Sequence, residues 1–542
     1  MWTSAVPVPG ADAIWAGYQS RMVPYLQRHF AAPVSFKAHR APHLGPEEIG
    51  DISRHSDTEP LEAVTDFVGY EVDKVNVQSA KANAFTFDLG RECIGFYMVE
   101  VEAPDGTVFE ISGAELLRDG RPWVFRKNTR YSVRYRSGGG RRTFVSFGWS
   151  GFRYLHVVIR GDTTGVRIHR AGCLVRQAAL ALRRTYDGQD AELRRIFDLC
   201  RYTLEVGAQE HLVDCPTREQ TQYWGDALHI ADSLWVGFGE RGYLEWYLEG
   251  FLHVPIRDNG QISSTYPGDH TALLDYSLIP VLGQRLYKVH TGGYYRPAET
   301  LDRALHLKQW YDDRLDDAGL VAFDYEAYAS QDLRNFIDHP GIGWHNFPHP
   351  GIDRHGVSCP LNLFFYGFVR ALAEIAASLE RSEASGLTHQ AEGLATAIRE
   401  TFYDGLVFHD AVDGGLQSSG TAWQTNALAV YFDVVTGDEA TRAMRAMLDG
   451  YDTLCRCSPY FHFYFLPALR TTGLVQEGLE LIKREWGAMS AGDATTTWEG
   501  FLGDEMDSLC HPWSTAPFLY LLGGELGGRR ISESANGRME NG

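Results

Sequence analysis

The hydrophobic pattern changes period twice along this chain. Residues 1 to about 80 are weakly patterned, and 1–64 are expected to form an N-terminal arm with one helix. Apolar spacing over Ala13 to Phe30 predicts one helix, and the Pro- and His-containing stretch from His39 to Pro60 predicts an extended arm. From Ala84 the period becomes two. Ala84-Phe-Thr-Phe-Asp-Leu-Gly, Gly95-Phe-Tyr-Met-Val-Glu-Val-Glu, Thr107-Val-Phe-Glu-Ile-Ser, Phe152-Arg-Tyr-Leu-His-Val-Val-Ile and Val166-Arg-Ile-His-Arg-Ala alternate like half-buried strands. Turn signals such as Pro104-Asp-Gly and Gly138-Gly-Gly separate them. Short strands at this spacing predict an antiparallel β-sandwich over residues 65–182.

From Ala191 the spacing becomes i, i+3, i+4, i+7, and about a dozen helical segments follow, up to Leu522. They fall near 191–208, 225–237, 241–253, 271–290, 297–316, 361–381, 386–402, 421–434, 438–449, 459–471, 474–487 and 509–523. Strands do not alternate with these helices, so a parallel α/β sheet is not expected. Twelve helices pair as six hairpins, and six hairpins closed into a ring make an (α/α)6 toroid around a cavity, here over residues 183–527. An open solenoid is the alternative, but no repeat of fixed period is visible. The Ser-, Asn- and Gly-containing tail, 528–542, is expected to be disordered. The expected architecture is therefore multidomain: an N-terminal antiparallel β-sandwich, then an all-α (α/α)6 toroid.

Composition narrows the function. The 542-residue chain has a formal charge of −20, with 22% charged and 44% hydrophobic residues. Such acidity argues against a nucleic-acid partner, which requires clustered Lys and Arg. No window reaches the roughly 18 apolar residues of a membrane helix, and the start lacks the basic and apolar regions of a signal peptide. A cytoplasmic location without membrane contact is the expectation. The eight cysteines are scattered and read as reduced core thiols; no metal site and no cofactor are expected. Aromatic residues reach 13%, a surplus that suits a cleft for ring-shaped ligands or a large core.

Two stretches concentrate chemistry. The first is Asp214-Cys-Pro-Thr-Arg-Glu-Gln-Thr-Gln-Tyr-Trp-Gly-Asp226, with three carboxylates, Arg218 and two aromatics. Pro216 breaks any helix running through it. Carboxylates crowded among rings can hold one raised pKa beside ionised neighbours. A capped helix start with solvated acids is the bland alternative. The second is Asp493-Ala-Thr-Thr-Thr-Trp-Glu-Gly-Phe, followed by Ser508-Leu-Cys-His-Pro-Trp-Ser. Its β-branched run disfavours helix, so Glu499 is expected on a loop beside Trp498. The bland alternative there is a cap with a packed tryptophan. Two acids across one cavity are what glycoside hydrolysis requires.

Together these strings resemble the bacterial α-L-rhamnosidases of glycoside hydrolase family 78. The resemblance also takes in Phe85-Thr-Phe-Asp-Leu-Gly, Gly151-Phe-Arg-Tyr, Asn335-Phe-Ile-Asp338, Gln424-Thr-Asn426, Ser458-Pro-Tyr-Phe461 and His511. It implies an inverting exo-glycosidase of terminal α-L-rhamnosides, in a short form lacking the family's further C-terminal β-sandwich. It assigns Glu219 as general acid and Glu499 as general base. Asp214 and Asp226 would hold sugar hydroxyls and tune Glu219, and Arg218 would pair with a carboxylate or a hydroxyl. Tyr223 or Trp224, with Trp344, Trp423 and Trp498, would form walls. Asp338 would bind substrate, and His511 would lie beside Glu499. The expected partner is a small-molecule or oligosaccharide glycoside, with a homodimer left open. Another sugar-active (α/α)6 enzyme, such as a phosphorylase or lyase, and a non-catalytic sugar-binding homologue are the alternatives. His253, His270, His290, His349 and His355 form no ligand pattern and are expected to be ordinary polar residues.

Overall fold

In the computed structural model of the chain, residues 22–42, 61–71, 75–126, 129–323, 332–339, 351–503 and 507–523 are described. The alternating segments form a nine-stranded sheet. Its main members are β1 (Leu26–Ala31), β2 (Ser35–Arg40), β3 (Ala84–Ala114), β4 (Ser132–Val145), β5 (Ser150–Arg160) and β6 (Arg167–Ala178). β2, β4 and β6 all pair antiparallel with the long β3, and β1 pairs antiparallel with β6. β5 lies between two parts of β3, with Leu155 opposite both Phe87 and Gly113. Phe85, Phe87, Val99, Phe109, Ile111, Leu155 and Val157 are fully buried and form the core of this domain.

β1 corrects the expected helix over Ala13–Phe30. Residues 26 to 31 form a strand because β6 offers a free edge, whose ladder from Leu26–Ala178 to Ala31–Cys173 outweighs a weak local helix pattern. The first half of that helix, to residue 21, lies outside the described residues, as does the tail from 524. The sheet domain thus reclaims residues 26–40 from the expected N-terminal arm.

The helical part keeps the predicted order. Among the described residues twelve α-helices follow the sheet. They are α1 (Ala191–Gly207), α2 (Trp224–Phe238), α3 (Gly242–His253), α4 (Leu274–Thr291), α5 (Pro297–Asp312), α6 (Cys359–Ser378), α7 (Glu383–Phe402), α8 (Trp423–Tyr431), α9 (Gly437–Asp449), α10 (His462–Thr471), α11 (Val475–Ala491) and α12 (Ala516–Leu521). The even-numbered helices touch in a closed circuit, α2–α4–α6–α8–α10–α12–α2. The odd-numbered ones pack outside. This is the (α/α)6 toroid.

Burial follows position in the ring. α9, on the outside, buries one stripe: Ala440, Ala443, Met444 and Met447. α6, on the inside, is buried almost all round from Cys359 to Ile375. By length and composition alone α6 could cross a membrane; here neighbouring helices cover it. All eight cysteines are free and buried, as expected of core thiols.

Candidate active site

A cavity of about 370 Å³ opens where inner helices begin. Its lining residues come from Tyr223 and Asp226 at the start of α2, Leu273 and Tyr276 at the start of α4, the 352–355 segment before α6, and His511 and Trp513 just before α12. Asp214, Arg218, Glu219 and Glu499 line it too. The two acidic stretches, far apart in the chain, therefore meet at one hollow.

The first stretch is a loop pinned upon itself. Asp214 N–H donates to Thr221 O (2.9 Å), and Thr221 N–H returns a bond to Asp214 Oδ1 (3.0 Å). The loop between them turns at Gln220, whose φ is +54°. Glu219 stands at the tip, with its side chain 29% exposed. Asp214 is fully buried, and its carboxylate oxygens come within 4.8 Å of those of Glu219. Burial, and then the adjoining negative charge of Glu219, raise Asp214 well above the ordinary carboxylate range. Burial also pushes Asp226 up to about 8, against the lowering effect of the Tyr276 hydroxyl that donates to it at 3.1 Å.

The second stretch presents Glu499 from a loop, as the β-branched run predicts. Its carboxylate accepts both guanidinium nitrogens of Arg218, each at 3.1 Å, and the Ser508 N–H at 2.8 Å. Two-pronged guanidinium–carboxylate bonds of this kind add geometric specificity and fix the carboxylate's orientation. Arg218 Nε also lies 3.6 Å from Glu219 Oε1, so one guanidinium bridges the two glutamates. Burial works against the charge of Arg218, but the neighbouring carboxylates of Glu499 and Glu219 outweigh it and raise its pKa.

Asp214, Cys215 and Glu219 could together offer three donor atoms to a cation. Burial raises the Cys215 thiol well above its usual value, so it holds its proton, and Arg218 already supplies positive charge there. The donor set suits a carboxyl pair better than a metal.

A continuous belt of rings surrounds the acids. Successive neighbours are His270, Tyr223, Tyr276, Phe336, His339, Trp513 and His511, with centroids 4.4 to 6.4 Å apart. Trp513 also donates its indole N–H to Glu499 O at 3.0 Å.

Several expected site residues are elsewhere. Trp224 is buried and faces away from the cavity, stacked on Tyr266 and giving its N–H to Ser263 O (2.7 Å). It follows Tyr223 at the start of α2, where adjacent side chains splay onto different faces. Trp423 is buried against Phe465, 4.3 Å between centroids. Trp498 lies over Gly503 and is not among the lining residues. Asp338 is fully buried and does not line the cavity. Its carboxylate fastens the loop to Gln424 Nε2 (2.7 Å), Ser458 N (2.9 Å) and Ser458 Oγ. That fastening places its neighbours Asn335, Phe336 and His339 in the wall. Trp344 lies outside the described residues, as does His349.

Tyr223, His511, Asp214, Arg218, Glu219, Asp226 and Glu499 do gather at the cavity. Sequence reasoning missed Trp513, Tyr276, His339 and Phe336, and set aside His270 and His355, which also line it. The string His511-Pro-Trp513 was the available signal for Trp513. His253 and His290 are ordinary in the expected sense, paired with Glu249 (2.8 Å) and Asp232 (2.6 Å).

Residues 78–171 match a family described as the bacterial alpha-L-rhamnosidase concanavalin-like domain. Among solved structures, a glycoside hydrolase family 78 rhamnosidase of a Bacillus species is 26% identical, with a TM-score of 0.70, over 81% of this chain and 46% of that one. A Klebsiella oxytoca rhamnosidase with rhamnose bound is 19% identical, with a TM-score of 0.72, over 93% of this chain and 97% of that one. A Streptomyces avermitilis α-L-rhamnosidase complexed with L-rhamnose is 17% identical, with a TM-score of 0.61, over 81% and 42% respectively. Among curated protein sequences nothing matches. The chain thus spans less than half the length of the Bacillus and Streptomyces proteins and nearly all of the Klebsiella one. The matches bear out the family resemblance read from the sequence.

Proposed function

We propose that this chain is a glycoside hydrolase that removes terminal α-L-rhamnose from small glycosides or oligosaccharides, with inversion. The observation that carries the reading is the Arg218 bridge: Glu219 and Glu499, joined by one guanidinium, face a single cavity of about 370 Å³. A hollow of that volume is near the lower end for ligand sites and suits one sugar ring. The ring belt offers faces for the sugar's apolar side, and the acids and Arg218 offer partners for its hydroxyls.

The roles follow from the environments. Glu499, gripped by Arg218 and the Ser508 N–H, takes a proton from the attacking water. Asp214, raised by burial and by the adjoining charge of Glu219, keeps its proton beside that glutamate. Glu219, the more exposed of the two, delivers a proton to the leaving oxygen as the bond from the anomeric carbon breaks. Water adds to the opposite face of that carbon. Asp226, kept protonated by burial, donates to or accepts from a sugar hydroxyl.

Glu219→Gln and Glu499→Gln, each assayed on an aryl α-L-rhamnoside with folding checked by circular dichroism, are expected to lose at least about 10³-fold in kcat. NMR of the first product is expected to show the inverted anomer. Full activity in both variants overturns the assignment.

A further inference from the structure

We propose that Glu115, supplied by the N-terminal sheet domain, is a positioning residue for Glu499; this rests on the functional reading above. Glu115 follows β3 directly and is buried at the junction between the two domains. Its Oε1 accepts the Ser508 hydroxyl (3.2 Å) and the Leu509 N–H (3.2 Å). The same Ser508 holds Glu499 from two sides. Its N–H donates to Glu499 Oε2 (2.8 Å), and its carbonyl accepts the Glu499 N–H (2.9 Å). Any shift of the 508–509 turn therefore moves the Glu499 carboxylate, and Glu115 anchors that turn from the sheet domain. Ser508 Oγ also meets Thr217 Oγ1 at 3.2 Å, which ties the turn to the loop carrying Glu219.

The sheet domain grips that second loop independently. Gly151 N–H donates to Pro216 O (3.0 Å), and the Gln220 side-chain amide spans Trp149 O (2.8 Å) and Pro216 O (2.9 Å). Gly151 is packed so closely that a Cβ there would lie 2.5 Å from Pro216 Cγ. Both acid-bearing loops are thus seated on the same end of the sheet, where β3 ends and β5 begins. The spacing of Glu219 and Glu499 is set jointly by the ring that carries them and the domain that precedes it. A carboxyl group is suited to this post, because one of its oxygens accepts a hydroxyl and an amide together.

The test compares Glu115→Ala and Glu115→Gln in the full chain. The expected result for Glu115→Ala is a loss in kcat of about 10- to 100-fold with KM little changed, and an acid limb of the pH profile that moves as Glu499 loses its fixed surroundings. Glu115→Gln keeps an acceptor oxygen for Ser508 and is expected to recover most of the loss. Wild-type kcat and an unmoved pH profile in Glu115→Ala overturn the proposal, as does a loss that only mirrors the fraction unfolded. Crystal structures separate this from failure of the functional reading. Should the wild type turn over no glycoside, a Glu499 carboxylate displaced in Glu115→Ala still supports the positioning role, and an undisplaced one ends it.

Discussion

Arg218 and Glu499 are joined by two parallel bonds of 3.1 Å, although 281 positions separate them in the chain. The pair lines the cavity and fixes the orientation of the glutamate's carboxylate. Lysine cannot reproduce the planar fork. Arg218→Lys is expected to lower kcat/KM on an aryl α-L-rhamnoside by roughly 10- to 100-fold, because the Glu499 carboxylate loses the fork that orients it. Wild-type kcat/KM in Arg218→Lys, measured by steady-state kinetics, would show that the fork does not position Glu499.

Asp226 makes stability depend on pH. Burial raises it to about 8 in the folded chain, against 3.8 for an ordinary aspartate. Between those values the folded state holds a proton that the unfolded state has released. Its contribution is fully present below 3.8 and is lost as pH rises through about 8, so Tm falls across that window. Asp214, also raised, acts in the same direction. Asp226→Asn keeps an acceptor for the Tyr276 hydroxyl and is expected to flatten the slope; thermal melts at pH 5 and pH 8 measure it, and an unchanged slope counts against the assignment.

Trp423 is a core residue, wholly buried against Phe465 and Tyr451. Trp423→Ala is expected to cost about 3–5 kcal/mol of stability. KM of the folded fraction should stay at the wild-type value. A raised KM without a lower Tm would return Trp423 to the sugar wall.

Gly151 tests the domain junction. Its neighbours Pro216 and Glu92 leave no space for a methyl group. Gly151→Ala is expected to destabilise by about 1–3 kcal/mol and to reduce kcat, since the displaced segment carries Glu219. Chemical denaturation together with steady-state kinetics reads both effects. A stable, fully active variant would show that the junction yields without disturbing the loop.

The alternation through residues 84–178 and the helical spacing after Ala191 announced a sheet followed by helices, because solvent on one side and core on the other impose those periods locally. The breaker Pro216 and the β-branched run before Trp498 likewise marked two loops as carriers of acids. Which tryptophan faces the sugar could not be read in that way. Tyr223 and Trp224 are adjacent at one helix start, and only the packing of Tyr247 and Tyr266 turns the larger ring inward and leaves the smaller one at the cavity. Strand β1 was hidden for a related reason: its partner β6 lies far along the chain, and local propensity is silent about a distant edge. The sequence by itself determined the kinds of element, their order and the acidic loops, all of which depend on near neighbours. Ring closure, the meeting of Glu219 with Glu499, the aromatic belt and the Glu115 anchor were decided by the tertiary structure, because each depends on contacts between segments that only the completed toroid and its sheet domain bring within bonding distance.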